Sequence, residues 1–452
     1  MKRLFAVTVL AILSLVLASC VTVAPATAPT APAAPESEAP EEAAPAEEAE
    51  SAGEPVTITF WKASHGETAD DWQPIIDEFE AANPNIQVEV LSHPWEGWDE
   101  RYGSAFAGGN PPDVSYMPDE FYPRFAEAGQ LAALEGVAPE AVAEMQGDYP
   151  ENFWQLGQYE GHQYGIPYLY VAIQLFYNKD LFDAAGVPYP PSSPEDENFV
   201  EWTWDKFAET AQQLTDAEQD QWGYAWSVNF RDNNYTYPYL WQAGADILDV
   251  EANTNAFGNE QGLQAFQYMY DLVHEFAVVP AEGMDPQFQQ WFYEGKAAMA
   301  PVESYAIATL REDYPELNVG VALMPQGPGT DFFGGRGTFG NLGFMVVAEG
   351  SENKEAAVQF VQFISSQEQN QRMMDIVKLF GARNDFVPPD DPLFDVFMAG
   401  RPYLVGYPLH PQLRQVHSLI YPEVQAMILE QKTPAEALDA AAAAVDQLLQ
   451  SP

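Results

Sequence analysis

The chain has 452 residues, 68 of them Asp or Glu and 18 Lys or Arg, for a formal net charge of −50. That length suits two or three packed units, and 47% hydrophobic residues are enough for a sizeable interior. So acidic a surface repels nucleic acid and anionic head groups, which argues against either as a partner; a solvated acidic face or a cationic ligand accommodates it. The one cysteine, Cys20, excludes a disulfide framework and thiolate metal sites.

Lys2 and Arg3 precede an almost wholly apolar run from Leu4 to Leu17, followed by the small residues Ala18 and Ser19. This is a signal-peptide pattern over 1–19, and the run falls short of the roughly 20 residues that span a bilayer. Leu17-Ala18-Ser19-Cys20 resembles a bacterial lipobox, which implies cleavage before Cys20 and lipidation of that residue. Several acyl chains anchor firmly where one does not. An ordinary secretory cut elsewhere is the alternative. Residues 21–54 contain no aromatic residue and no Lys or Arg. Such a segment cannot bury a core, and its prolines make 20–54 a partly extended tether.

The body opens with Val56, Ile58 and Phe60 alternating with threonines, a strand. Trp72, Ile75, Ile76 and Phe79 follow at helical spacing, with Asn83-Pro84-Asn85 as the stop. Ile86, Val88 and Val90 alternate again, so a βαβ unit and a parallel opening sheet are predicted. Further on, 164–178 reads as extended chain and 204–214 as an amphipathic helix. Strands are expected within 317–325 and 341–348, with a Gly-rich loop between them. Ala356, Ala357, Phe360, Val361 and Ile364 share one helix face. Thr433 and Glu436 form a capping box with Pro434 at the first helical position, opening a last helix to about Leu449.

The motifs of catalysis are missing. The six histidines form no HExxH, and there is no P-loop and no GxSxG elbow. With 68 carboxylates, a glycosidase pair cannot be argued from their presence. Gly335 to Gly340 matches GxGxxG, but a dinucleotide fingerprint needs a strand before it and a helix after it. Here a Gly/Pro-rich loop precedes and a strand-like stretch follows, so the segment reads as a loop feeding a strand. No cofactor or metal is called for.

Several stretches resemble bacterial extracellular solute-binding proteins of the maltodextrin-binding class. They are VTITFWKASHG (56–66), the segment 107–134 around a Pro-Asp turn, 164–191 with 202–215, FYEGKAAMAPVESY (292–305), ALMPQGPG (322–329), 350–371 and the last helix 433–449. All seven stand in the family's order. The resemblance implies an α/β, two-lobed periplasmic-binding-protein-like fold, with the ligand cleft between lobes joined by hinge strands. The expected division is 55–169 and 337–383 for the N-terminal lobe, 170–336 and 384–452 for the C-terminal lobe.

For a sugar ligand, aromatic planes would cover C–H faces while polar side chains satisfy hydroxyls. Trp61, Ser64 and His65 follow the first strand, with Trp61 suited equally to the core. Asp119 and Glu120 match the place where family members hold a hydroxyl-binding acid. Tyr168 and Tyr170 lie on the first crossover. Asp232, Asn234, Tyr235, Tyr237 and Trp241 lie on a stretch resembling the second-lobe ligand loop, where about half the aromatics would face the cleft. Tyr305 stands where many members have a stacking Trp, a departure that shrinks the platform. Gly340 and Asn341 occupy the Gly-rich crossover, and Arg383 a loop that often holds a polar contact; Tyr403 and Tyr407 are weaker candidates.

The resemblance implies a non-enzymatic, monomeric subunit of an ABC importer, held outside the cell membrane by lipidated Cys20. It would deliver a sugar or small oligosaccharide to permease subunits. A cationic ligand such as a polyamine, caged by acids and aromatics, is the alternative. A surface glycoside-active enzyme would need a catalytic constellation that the motifs do not supply.

Overall fold

The computed structural model describes residues 55–226, 228, 234–280 and 288–451. The lipobox with Cys20, the tether and Asp232 lie outside the described residues.

Strand β1 (Val56–Ala63), helix α1 (Ala69–Ala82) and strand β2 (Ile86–His93) form the predicted unit. β1 pairs in parallel with β2 along its whole length, and also with β3 (Val114–Pro118) on its other side. The buried face of α1 is the one read from the sequence: Trp72, Ile75, Ile76 and Phe79. Phe60 meets the Trp72 and Phe360 rings edge-on, at 5.0 and 5.5 Å between centroids. Each such large apolar side chain contributes about 1.5–3 kcal/mol on burial.

Among the described residues the main sheet has nine strands and is mixed. Its centre is two long strands, β4 (Gly165–Asn178) and, further along the chain, β7 (Thr338–Val347), paired antiparallel. The first half of β4 pairs with β7, and its second half with β5 (Met299–Glu303) and β6 (Val319–Ala322). β7 in turn pairs with β3 on its other edge. Two short strands, β8 (Phe380–Gly381) and β9 (Leu404–Val405), add to β4 and β7. β4 and β7 are therefore shared between the parallel β1–β3 portion and the β5–β6 portion, which gives a two-lobed α/β fold with crossover strands between the lobes.

β7 begins at Thr338, three residues before the expected strand, so the second half of the GxGxxG stretch, expected to be loop, is already strand. The Gly-rich loop before it holds a left-handed turn: Phe332, Phe333, Gly334 and Gly335 have φ of 46°, 63°, 66° and 77°. The last helix, Pro434–Leu449, starts with both bonds of the capping box in place.

Candidate ligand-binding site

The crossover strands are almost entirely buried, and each has a single half-buried residue: Val171 in β4 and Asn341 in β7. These two are direct cross-strand partners. Together they open into a cavity of about 890 Å³ and form part of its lining. The size falls in the range of small-molecule sites.

One wall comes from segments at the carboxyl ends of β1, β2 and β3, where ligands bind in open α/β sheets. After β1, the fully buried Lys62 must find acceptors for its ammonium group. Its Nζ lies 2.6 Å from Glu67, 2.8 Å from the Ala63 carbonyl and 2.9 Å from His65 Nδ1. The Tyr116 ring lies 4.5 Å away. The other Glu67 oxygen accepts the His65 backbone N–H at 2.6 Å. Burial lowers the Lys62 pKa against the pull of Glu67. Burial and the Lys62 charge hold His65 well below the usual imidazole range, so its ring is neutral at pH 7. Beside it, Trp95 meets His65 and Trp98 edge-on at 5.1 and 5.3 Å.

At the end of β3, helix α2 (Tyr122–Glu127) is preceded by Asp119, Glu120 and Phe121. Glu120 lines the cavity, and burial pushes its pKa up to about 7 despite Arg414 3.6 Å away. Arg414 lines the cavity too and lies over the Phe121 ring at 5.0 Å. His417 Nε2 is 3.6 Å from Glu120, while its Nδ1 pairs with the Tyr237 hydroxyl at 2.6 Å.

The other wall comes from Asn234, the end of β5 and the helix Ala306–Asp313 behind it. Asn234 donates to Glu303 at 2.5 Å, and both line the cavity with Tyr305 and Thr309. Tyr305 is 40% exposed and Trp95 37%, so each wall offers one accessible large aromatic side chain.

Of the residues proposed from sequence, Ser64, His65, Glu120, Asn234, Tyr305 and Asn341 line this cavity, as does the weaker candidate Tyr407. The Ser64 hydroxyl is engaged in its own turn, donating to the Glu67 carbonyl at 2.5 Å. Several others stand elsewhere. Trp61 is half-buried and packs edge-on against His93 and Tyr102. Asp119 is fully buried, with its pKa pushed well up by burial and by Glu120; it accepts Asn341 Nδ2 at 2.6 Å and thus orients a residue that does line the cavity.

Tyr168 stacks against Trp72, and Tyr170 against Phe380, because β4 is buried on both faces. Tyr235, Tyr237 and Trp241 are likewise buried: Tyr235 accepts from Gln289, Tyr237 contacts His417, and Trp241 donates to Asp246. At Gly340 a Cβ would meet Leu404 at 2.7 Å, so the missing side chain makes room for β9. Arg383 is held by both oxygens of Asp385, by Asp148 and by the Ser365 carbonyl. Tyr403 stands apart, packed near Phe199.

Trp95, Trp98, Phe121, Glu303, Thr309 and Arg414 also belong to the lining and are not among the residues expected from sequence. The signal for the first pair was available: Trp95 and Trp98 flank Glu96-Gly97 directly after a parallel strand. Among the described residues no cluster of three or more His, Cys, Asp or Glu could hold a metal ion, and no helix is long and apolar enough to cross a membrane.

The chain is similar to a putative binding protein of Brucella abortus, 24% identical over 380 residues that cover 82% of this chain and 88% of the relative. The fold is that of a binding protein for cyclic alpha-maltosyl-1,6-maltose from Arthrobacter globiformis, with a TM-score of 0.75, 22% identity, and 88% and 99% of the two chains covered. It is also that of an ABC substrate-binding protein from Listeria monocytogenes in complex with cycloalternan, with a TM-score of 0.73, 23% identity, and 88% and 100% covered. The profile of the bacterial extracellular solute-binding protein family matches residues 62–371, well over half the chain, and this protein belongs to that family.

Proposed function

We propose that the chain captures a carbohydrate in the cavity and delivers it to the permease of an ABC importer, without catalysing any change in it. The observation that carries this reading is the pairing of one accessible aromatic on each wall, Trp95 and Tyr305, with His65, Glu120, Asn234, Glu303 and Asn341 around them. Aromatic faces suit sugar C–H faces, and amides, acids and imidazole suit hydroxyls. Relatives that bind maltotriose and arabinooligosaccharide support the same ligand class. Closure of one lobe on the other about β4 and β7 would complete the site, a hinge motion of the familiar kind. The change of partners along β4 supports an N-terminal lobe of 55–169 and 337–383 and a C-terminal lobe of 170–336 and 384–452. Lipidated Cys20 would hold the monomer at the outer face of the membrane, with 20–54 as its leash.

Glu120 and Glu303 in the lining favour a second reading, a cationic ligand such as a polyamine, although Arg414 beside Glu120 opposes it. Tryptophan fluorescence of the full chain, titrated with maltose, maltotriose, arabinooligosaccharides and spermidine, decides between them. Saturable change with a carbohydrate and no product is expected. Saturation by spermidine alone would establish the second reading, and turnover of any sugar would overturn both.

A further inference from the structure

Lys62 lies beside the cavity without lining it, and its surroundings fix more than its own position. An ammonium group has three N–H donors and no acceptor. Three polar atoms surround Lys62 Nζ: a Glu67 oxygen at 2.6 Å, the Ala63 carbonyl oxygen at 2.8 Å and His65 Nδ1 at 2.9 Å. A carboxylate and a carbonyl can only accept, so the third N–H points at an imidazole nitrogen that must offer a lone pair. A neutral imidazole that accepts at Nδ1 carries its proton on Nε2.

We propose that Lys62 is a positioning residue whose buried ammonium locks His65 as the Nε2–H tautomer, giving the cavity wall a permanent hydrogen-bond donor. The lock has a rigid frame. Both Lys62 and Glu67 are sealed from solvent, and the second Glu67 oxygen binds the His65 backbone N–H, which ties ring and ion pair into one loop. The ring is further fixed edge-on between Trp95 and Tyr116, at 5.1 and 5.3 Å. The groups facing it are thus Lys62 and Glu67 on its own loop, the Tyr116 phenol from β3 and the Trp95 indole after β2. Burial keeps the phenol protonated far above its ordinary range, so Lys62 and Glu67 supply the only charges in that set.

The consequence concerns ligand chemistry. A donor that never becomes an acceptor selects for an oxygen lone pair at this point of the ligand, such as a sugar hydroxyl or ring oxygen, and against an ammonium. This consequence rests on the cavity being the ligand site; the tautomer itself does not. It also removes the pH dependence that a free histidine would bring, because a second proton could reach Nδ1 only by displacing the ammonium.

The test is long-range proton–nitrogen NMR of the full chain labelled at its six histidines, with His65 assigned through His65→Gln. The expected pattern is that of a neutral Nε2–H ring, unchanged between pH 5 and 8 and seen without any ligand. An Nδ1–H pattern, or a titration near the ordinary imidazole midpoint, would overturn the proposal. In the double variant Lys62→Met/Glu67→Gln, which leaves no buried charge behind, His65 should regain tautomer exchange and titrate at least one pH unit higher. If the folded double variant kept a pure, non-titrating Nε2–H ring, Lys62 would not be what holds it. Failure of the carbohydrate titration alone would leave this result standing.

Discussion

Behind one wall of the cavity Lys62 and Glu67 meet at 2.6 Å with both side chains sealed from solvent; further along the same wall, Glu120 stands 3.6 Å from Arg414, which is 30% exposed. In the first pair, burial lowers the Lys62 pKa against the pull of Glu67, and the charges serve to fix a neighbouring ring. In the second the ion pair is longer, and burial raises the Glu120 pKa to about 7 against the pull of Arg414. In both pairs burial outweighs the opposite charge, so a nearby partner does not by itself restore an ordinary pKa. The two pairs differ in what they give that wall: one holds a ring in place before any ligand arrives, the other leaves an ionisable group close to neutrality.

The largest effect is expected at Lys62. Lys62→Met leaves the Glu67 carboxylate buried beside an apolar side chain, and a loss of about 3–5 kcal/mol is expected in urea denaturation. Adding Glu67→Gln should recover most of it. A single variant as stable as the parent would mean that the pair is not tightly coupled.

Glu120 gives the next effect, through pH. Its carboxyl ionises near 4.5 in the unfolded chain and near 7 in the native one, so the native state binds the extra proton between those values. Stability from this group is then highest below about pH 4.5, falls as pH rises, and levels off above about pH 7, a span of roughly 3 kcal/mol. Glu120→Gln should remove that slope, so its stability relative to the parent rises toward pH 8. Parallel pH profiles would contradict the assignment.

The two accessible aromatics sharpen the comparison at the ligand. Trp95→Ala is expected to weaken carbohydrate binding by about 2 kcal/mol, and Tyr305→Ala by about 1, in calorimetric titration. Tyr168→Phe, whose ring is packed against Trp72 away from the cavity, should change affinity by less than about 0.5 kcal/mol.

Much of the fold was legible because local patterns and global packing agree. The β1–α1–β2 unit, the apolar face of α1 and the Thr433–Glu436 capping box all stand as read. The site was harder to read for a specific reason. β4 is covered on both faces, so alternation along it cannot say whether Tyr168, Tyr170 or Val171 meets the cavity. What marks the cavity is the register across the sheet: Val171 is the partner of Asn341, and both line it. Similarly, Tyr237 and Trp241 have the chemistry of ligand contacts but sit in a helix, Tyr237–Ala243, whose seven residues are all buried. Gly340 and Arg383 show the same limit: residue type was right for a site, but Leu404 and Asp385 use the residue instead. Trp95 and Trp98 carried a positional signal, the end of a parallel strand, that residue type alone did not.

The most direct test is a crystal structure of the protein with the carbohydrate that binds it most tightly. Ligand density is expected in the cavity between Trp95 and Tyr305, with a ligand oxygen within hydrogen-bond distance of His65 Nε2. Density at any other place on the molecule, with this cavity holding only solvent, would contradict this expectation.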